Sequence, residues 1–440
     1  MKKNAIYLLF IFNLAVIFFF WYQGSSYFLN EKTFAGIMIA LGRISGLLAE
    51  FFILLQLVLI GRISWIENEF SHNEMTSLHR TIGTYIILFL FSHPVMLTFG
   101  WGAMSEKGFW HQFQSFLTNW DDVFKALLAL IIFILAIVLS LNPIRKKLKY
   151  ERWHFTHLFI YIAIGLAFEH QVNTGDVSSG AGLYYWLILN YFIFGAMLLF
   201  RFLRPLYLFW FHRFKIEKIV PESNDVWSVY ITGKNLEKFK FSAGQFAEIN
   251  FLKKGLWTSH PFSFSAAPNG KNIRITIKAL GDFTNRIKDL PIGTSVIIDG
   301  PLGRFTENNC RSGKYLFIAG GVGITPITGI IESLQKKSAL NDVCLIYCVR
   351  SAAQIPFRNY FDGLNGLKIY YVVSDHGAGD GAKNYISGLI DTEKIIKLCP
   401  DYKDRDIYFC GPPKMTELVL KTLDDLKFPK QRLHYEKFAF

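Results

Sequence analysis

Apolar residues gather in long runs over the first half of the chain and in short, alternating runs over the second. A helix needs about 20 largely apolar residues to cross a bilayer, because the hydrocarbon core is roughly 30 Å thick and each residue advances about 1.5 Å. Six stretches approach that length: 5–23, 34–60, 78–98, 123–141, 154–171 and 183–207. Six spans return the chain to the side on which it started, and they make the third and fifth spans parallel. Beyond Pro205 the runs shorten and alternate in Val226–Ile231, Gln245–Phe251, Ile273–Ala279 and Ser295–Asp299. That pattern predicts strands of a small antiparallel β-barrel. From Tyr315 the order becomes apolar strand, Gly-rich turn and helix, with further strands near 343–349, 368–373 and 406–409. Such alternation predicts a parallel sheet covered by helices. The expected fold is a six-helix transmembrane bundle over 1–212, an antiparallel β-barrel domain over 213–308 and an α/β parallel-sheet domain over 309–440.

Charge sharpens the membrane reading. The net charge of +13 could suit nucleic acid, but much of it flanks the apolar runs: Lys2 and Lys3, Arg62, Arg145/Lys146/Lys147/Lys149/Arg152, and Arg201/Arg204/Arg213/Lys215. No Lys or Arg lies between His170 and Tyr184. This asymmetry is the positive-inside pattern; it puts both termini in the cytoplasm of a multi-pass plasma-membrane protein and argues against a nucleic-acid partner. Lys-Lys followed by an apolar run also resembles a signal peptide, but no small-residue cleavage site follows Trp21-Tyr22-Gln23, so a retained first span is expected. The five cysteines (Cys310, Cys344, Cys348, Cys399, Cys410) all fall in the second half without a CxxC pair, which suits a reducing compartment.

Histidines mark the spans. His79 and His93 are fourteen residues apart on the third, and His157 and His170 thirteen apart on the fifth. Each pair covers roughly 20 Å along a helix. Parallel helices bearing such pairs can meet at two depths, His79 with His157 and His93 with His170. Each meeting supplies two imidazoles, the axial ligands of a low-spin haem; interhelical hydrogen bonding is the other use of such rings. Fourteen residues return to within about 40° of one face, but thirteen leave about 140°, so the fifth span must kink or wind irregularly, with Gly165 the expected place. His154 is a rival to His157, better placed as an interfacial residue, and His72, His111 and His212 suit surface roles. Arg43, inside the second span, is costly there unless paired; a haem propionate or an interfacial position would serve it.

The second half adds short motifs. His260-Pro261-Phe262-Ser263 follows a strand opened by Gly244-Gln245-Phe246, and Lys278 precedes Gly281-Asp282-Phe283-Thr284 at the start of an expected helix. A helix N-terminus offers free N–H groups to a pyrophosphate. Asp299-Gly300-Pro301-Leu302-Gly303 reads as a turn. Ala319-Gly320-Gly321-Val322-Gly323-Ile324-Thr325-Pro326 links a strand to a helix, its glycines permitting close approach of a dinucleotide phosphate. Pro326 stands where a GxGxxG loop has its third glycine. Cys410-Gly411-Pro412 ends another strand.

Together these residues resemble the NADPH oxidase and ferric reductase superfamily over nearly the whole chain: a six-helix bis-haem membrane domain joined to a ferredoxin-NADP reductase-like module. The resemblance implies an FAD-binding barrel, with His260, Pro261, Phe262, Ser263, Lys278, Gly281, Asp282 and Thr284 on the flavin. It implies an NAD(P)-binding domain, with Gly320, Gly321, Gly323, Thr325, Pro326, Gly411 and Pro412 on the nicotinamide cofactor and Cys410 beside its ring. Arg350 and Ser351 match where related reductases contact the adenosine 2′-phosphate; with no acidic residue directly there in sequence, NADPH is preferred over NADH. The ending Glu436-Lys437-Phe438-Ala439-Phe440 resembles the Glu-x-aromatic terminus whose ring covers the flavin, with Phe438 matching by position and Phe440 competing. The implied activity moves electrons from NADPH (or NADH) through FAD and two b-type haems, ligated by His79, His93, His157 and His170, to oxygen outside the cytoplasm, forming superoxide. A ferric chelate, or a separate extracytoplasmic protein, is the alternative acceptor, and no obligatory protein partner is evident.

Overall fold

The computed structural model describes residues 3–67, 69–148, 150–352, 355–375 and 384–437. It forms two compact units, Met1–Phe70 with Glu74–Arg201, and Ser71–Asn73 with Phe202–Phe440. Helices of eight or more residues are numbered α1 to α11. In chain order the first nine are α1 (Lys3–Asn30), α2 (Phe34–Ile60), α3 (His72–Met104), α4 (Gly108–Asn119), α5 (Asp121–Ser140), α6 (Tyr150–His157), α7 (Ile160–Asn173), α8 (Gly180–Met197) and α9 (Arg204–His212). A π-helical turn, Leu198–Leu203, joins α8 to α9.

Among the described residues, five helices are long and apolar enough to cross a membrane: Lys3–Asn30, Phe34–Ile60, His72–Met104, Asp122–Ser140 and Gly180–His212. The fifth expected span, 154–171, is instead two pieces. α6 stops at His157 and α7 starts at Ile160, with i to i+3 bonds from the Phe159 N–H to the Thr156 carbonyl (3.2 Å) and from the Tyr161 N–H to the Leu158 carbonyl (3.1 Å). The irregularity expected near Gly165 therefore lies at Leu158–Phe159, and Gly165 is ordinary helix inside α7. The interior of this unit is apolar, with Ile53, Leu54 and Leu57 of α2 meeting Ile86, Ala129, Phe133, Ala163 and Ile164. Its outside is apolar too: Leu8, Phe19, Leu88, Leu135, Ile188 and Phe192 are all exposed. Helices hydrophobic on every side satisfy their own backbone groups and suit lipid rather than water.

In the second unit, β1 (Lys215–Ser223), β2 (Val226–Thr232), β3 (Phe246–Phe251), β4 (His260–Ser263), β5 (Ile273–Lys278) and β6 (Val296–Leu302) make two three-stranded antiparallel sheets, in the orders β1-β2-β5 and β4-β3-β6. Isolated bridges Lys215↔Ser295 and Phe264↔Ile275 tie one sheet to the other, and Ile216, Val229, Ile231, Ala247, Ile249, Phe251, Ile275 and Ile298 share one core between them. All four strands expected here are present.

β7 (Tyr315–Gly320), β8 (Val343–Val349), β9 (Lys368–Val373), β10 (Tyr385–Ser387), β11 (Asp406–Gly411) and β12 (Leu433–Lys437) form the expected parallel sheet, ordered β10-β9-β8-β7-β11-β12, with α10 (Ile324–Lys336) and α11 (Pro413–Asp425) among its helices. Alternate residues of β7 feed opposite cores, Phe317 and Ala319 one, Leu316 and Ile318 the other. That two-sided burial explains why the strand reads as continuous apolar sequence. The chain winds from β7 towards β10 and then returns to place β11 on the other side of β7. Open α/β sheets bind ligands in the crevice at such a reversal, outside the carboxyl ends of the strands.

Candidate functional site

The break between α6 and α7 brings the histidines into phase. A residue in a 3₁₀ turn advances about 120° rather than 100°, so a few tightly wound residues recover much of the 140° that a regular helix would leave. The rings of His79 and His157 stand 6.4 Å apart between centroids at 66°, and those of His93 and His170 stand 6.1 Å apart at 62°. Two imidazoles on opposite sides of one metal, with bonds of about 2.0 Å, would have centroids about 6.2 Å apart. Both pairs match that spacing.

Hydrogen bonds leave the far ring nitrogens for a ligand. His93 Nδ1 donates to the Gly42 carbonyl at 2.8 Å, His170 Nδ1 meets Asp122 Oδ2 and Thr174 Oγ1, each at 3.2 Å, and His157 Nδ1 meets Ser140 Oγ at 3.3 Å. Such outer partners hold a ligating imidazole in one tautomer and orientation. Among the described residues, His79 Nδ1 is buried without a partner. Gly46 admits the His93 ring: a Cβ there would lie 2.5 Å from its Nδ1. The rings of His93 and His170 line a cavity of about 510 Å³, together with Gly46, Glu50, Arg43 and Asp176. That volume is in the range of cofactor sites. Amphipathic α4, which the span pattern did not predict, adds Phe113, Phe116 and Leu117 to its wall. Arg43 is on the wall, but Asp176 Oδ1 holds its Nη1 at 2.8 Å and the Gly24 carbonyl accepts from the same atom at 3.0 Å. A propionate would have to share this guanidinium. His157, rather than His154, faces His79.

In the second unit, β4 carries the flavin motif. Among the described residues, Ser263 is buried with its hydroxyl unpartnered, an orphan that a bound group's acceptor or donor would satisfy. The Phe262 and Phe283 rings are stacked at 6.4 Å, and His260 lies 3.9 Å from Phe283. The helix expected at Thr284 is only a six-residue 3₁₀ turn, Thr284–Asp289. Gly281-Asp282 before it and Pro291 after it leave too few residues to repay helix nucleation. Thr284 Oγ1 instead accepts from the Leu280 and Gly281 N–H groups at 2.9 and 3.1 Å, and Lys278 Nζ pairs with Asp225 at 3.2 Å. Asp282 is exposed.

The sheet reversal brings the nicotinamide motifs together. A Cβ on Gly323 would lie 2.2 Å from the Cys410 carbonyl oxygen, and one on Gly320 would lie 2.8 Å from Pro412. These two glycines let the loop pack on Cys410-Gly411-Pro412. Gly321, at φ +53°, meets nothing within 4 Å on that side and leaves its backbone open. Thr325 and Pro326 are buried at the start of α10. Cys410 pairs in register with Glu436 of β12. Burial, and then the Glu436 carboxylate, push the Cys410 thiol well above its ordinary range, so it stays protonated. Glu436 Oε1 lies 3.1 Å, and the Phe246 ring 2.8 Å, from where a Cβ on Gly303 would stand. Phe246 in turn pairs with Ser263 across β3 and β4. A chain of contacts through Glu436, Gly303 and Phe246 thus links Cys410 to Ser263. Arg350 follows β8, and its carbonyl accepts from the Asp375 N–H at 2.9 Å. This main-chain contact joins the segments that follow β8 and β9. Phe438 and Phe440 lie outside the described residues.

Residues 45–168 match the family described as ferric reductase like transmembrane component, 211–306 match the FAD-binding domain, and 317–421 match the oxidoreductase NAD-binding domain. The chain has the architecture of the NADPH oxidase and ferric reductase superfamily. Within that superfamily layout, the first half is a membrane component and the second an FAD- and NAD-binding oxidoreductase module. A flavohemoprotein of Pseudomonas putida is 31% identical over 236 residues, 51% of this chain and 58% of that one. Another, of Burkholderia sp. (strain TH2), is 29% identical over 235 residues with the same shares. The chain thus spans 58% of the length of these relatives. A solved FAD/NAD-binding domain of a nitric oxide dioxygenase from Vibrio cholerae is similar at 26% identity and TM-score 0.44, over 51% of this chain and 97% of that one.

Proposed function

We propose that this chain is a plasma-membrane NAD(P)H oxidase that forms superoxide from extracytoplasmic oxygen, with limits of 1–212 for the membrane domain, 213–308 for the FAD-binding domain and 309–440 for the NAD(P)-binding domain. The observation that carries the reading is the pair of facing imidazole couples, each at the spacing that one intervening iron requires. When bound, FAD accepts a hydride from the dihydronicotinamide and releases single electrons, and b-type haems relay single electrons.

The chain's residues serve those groups. His79 with His157, and His93 with His170, would each hold one haem iron between their rings. His260, Phe262 and Phe283 form the aromatic wall for the flavin, and Ser263 offers its hydroxyl near N5. The backbone of Gly321 faces the dinucleotide phosphates. Cys410 and Glu436 would flank the nicotinamide position. Leu47, Ile53, Leu90, Leu97, Phe113 and Phe116 around the cavity suit the apolar faces of a porphyrin. The Lys and Arg residues that flank the apolar runs support cytoplasmic termini.

Purified protein supplied with NADPH or NADH, and in parallel with oxygen or ferric chelates, tests the reading. Superoxide dismutase should abolish most reduction of a superoxide probe. Rapid chelate turnover with no effect of the dismutase would replace the oxidase by a ferric-chelate reductase.

A further inference from the structure

Two cofactor-binding segments in the second unit are joined by contacts that neither motif contains. The first segment, β4, continues without interruption into Phe264–Pro268. The second, the Gly320–Pro326 loop, continues directly into α10. Along one face of α10, Gly329, Glu332 and Lys336 lie three and four residues apart, the spacing of neighbours on a helix surface, and all three meet Phe264–Pro268. A Cβ on Gly329 would lie 2.8 Å from the Phe264 carbonyl oxygen, so the helix approaches that backbone as closely as glycine allows. Glu332 Oε2 accepts from the Ala267 N–H at 3.1 Å, and Lys336 Nζ donates to the Pro268 carbonyl at 3.0 Å.

Arg274 of β5 closes the arrangement. Its Nη2 pairs with Glu332 Oε1 at 2.5 Å and donates also to the Ser265 carbonyl, while its Nε reaches Ser265 Oγ at 3.2 Å. The guanidinium lies 5.1 Å from the centre of the Phe357 ring, on the far domain. The Arg274 and Glu332 side chains are only 13% and 19% exposed. Removing either partner would leave the other's charge largely desolvated and unpaired.

We propose that Arg274 and Glu332 are positioning residues, a clamp that fixes the nicotinamide loop relative to the flavin strand. Ser263 is four residues from Ala267, and Thr325 is seven residues, about two turns, from Glu332. Displacement at the clamp is therefore transmitted through short, stiff segments to both cofactor positions. The inference rests on the FAD and NAD(P)H reading. The step it serves moves a hydride, with its electron pair, from C4 of the dihydronicotinamide to N5 of the flavin, oxidising one and reducing the other by two electrons. Misplacement on the scale of 1 Å costs about 100-fold in such a step.

The test uses the full-length protein in detergent, loaded with FAD. Anaerobic stopped-flow gives the limiting rate of flavin bleaching and the apparent Kd for NADPH, and hydrogen exchange gives protection of the Ala267 amide. Glu332→Gln should slow the limiting rate about tenfold, and Glu332→Ala more, with Kd changed less than about twofold. Glu332→Ala should also speed exchange at Ala267. Gly329→Ala, which keeps both charges, should slow the rate by forcing the helix off Phe264. Unchanged limiting rates in Glu332→Ala and Gly329→Ala, while the wild type is reduced normally, would remove the clamp and leave the functional reading intact. Slowing that only tracks lost FAD would likewise reduce the pair to a structural role. A wild type reduced by neither nucleotide would instead overturn the functional reading on which the clamp depends.

Discussion

The membrane half and the soluble half build their candidate sites from different materials. In the first, four ring side chains on three helices form the candidate site, and distance along a helix sets their placing. In the second, glycines that admit loops to each other join side chains such as Ser263, Phe283, Cys410 and Glu436. One substitution should therefore remove a whole group from the membrane half, while in the soluble half it should only shift an affinity or a rate.

The sharpest way to break that contrast is His93→Ala or His170→Ala. Each should lower haem from two to about one per FAD, read from haem and flavin absorbance. Unchanged haem would remove that residue as a ligand. Gly46→Ala comes next, because its Cβ would lie 2.5 Å from His93 Nδ1 and displace the ring. Partial loss of one haem is expected, while Gly165→Ala, whose Cβ meets nothing within 4 Å, should be silent in the same assay. Asp122→Asn keeps the His170 ring in place but weakens its carboxylate partner. Spectroelectrochemical titration should show one haem potential rising on the order of tens of millivolts and the other fixed.

Effects in the soluble half should be smaller. Ser263→Ala should weaken FAD binding several-fold, the value of about 1 kcal/mol for one hydrogen bond, measured by flavin fluorescence during dilution. The least effect concerns acid stability. Hydrogen bonds from Arg405 at 2.7 and 2.9 Å hold Asp401 down to about 2, against 3.8 for an ordinary aspartate. A depressed carboxyl stabilises the fold above its unfolded value and loses that contribution as pH falls from there through about 2. Asp401→Asn should flatten this acid limb of thermal stability by less than about 1 kcal/mol, since the Asp401 side chain is 40% exposed.

What the chain's letters revealed follows the same division. Histidine spacing and the strands at 315–318, 343–349, 368–373 and 406–409 were legible because each is a periodic or compositional signal. β10 and β12 were not, the first being three residues long and the second half-polar along its length. α4 escaped because its 12 residues are amphipathic and too short to span. Asp122 behind His170, Asp176 on Arg43 and Asp375 beside Arg350 are contacts between segments far apart in sequence, and no local pattern encodes them. Gly46 could have been suspected, since glycine within a span often marks close helix approach. The break at Leu158–Phe159 lacks the usual signals, proline or glycine, and His157 and His170 on either side of it both face α3.

That break makes the fifth segment a vernier. Its rings are one residue closer along the chain than those of α3, and tighter winding makes up part of the angular deficit, about 20° for each 3₁₀ residue. An added residue between Phe159 and Ile160 would equalise the two separations, so an unbroken helix could present both rings. Chain length and helical pitch are interchangeable here, and register between the two spans can survive a one-residue insertion.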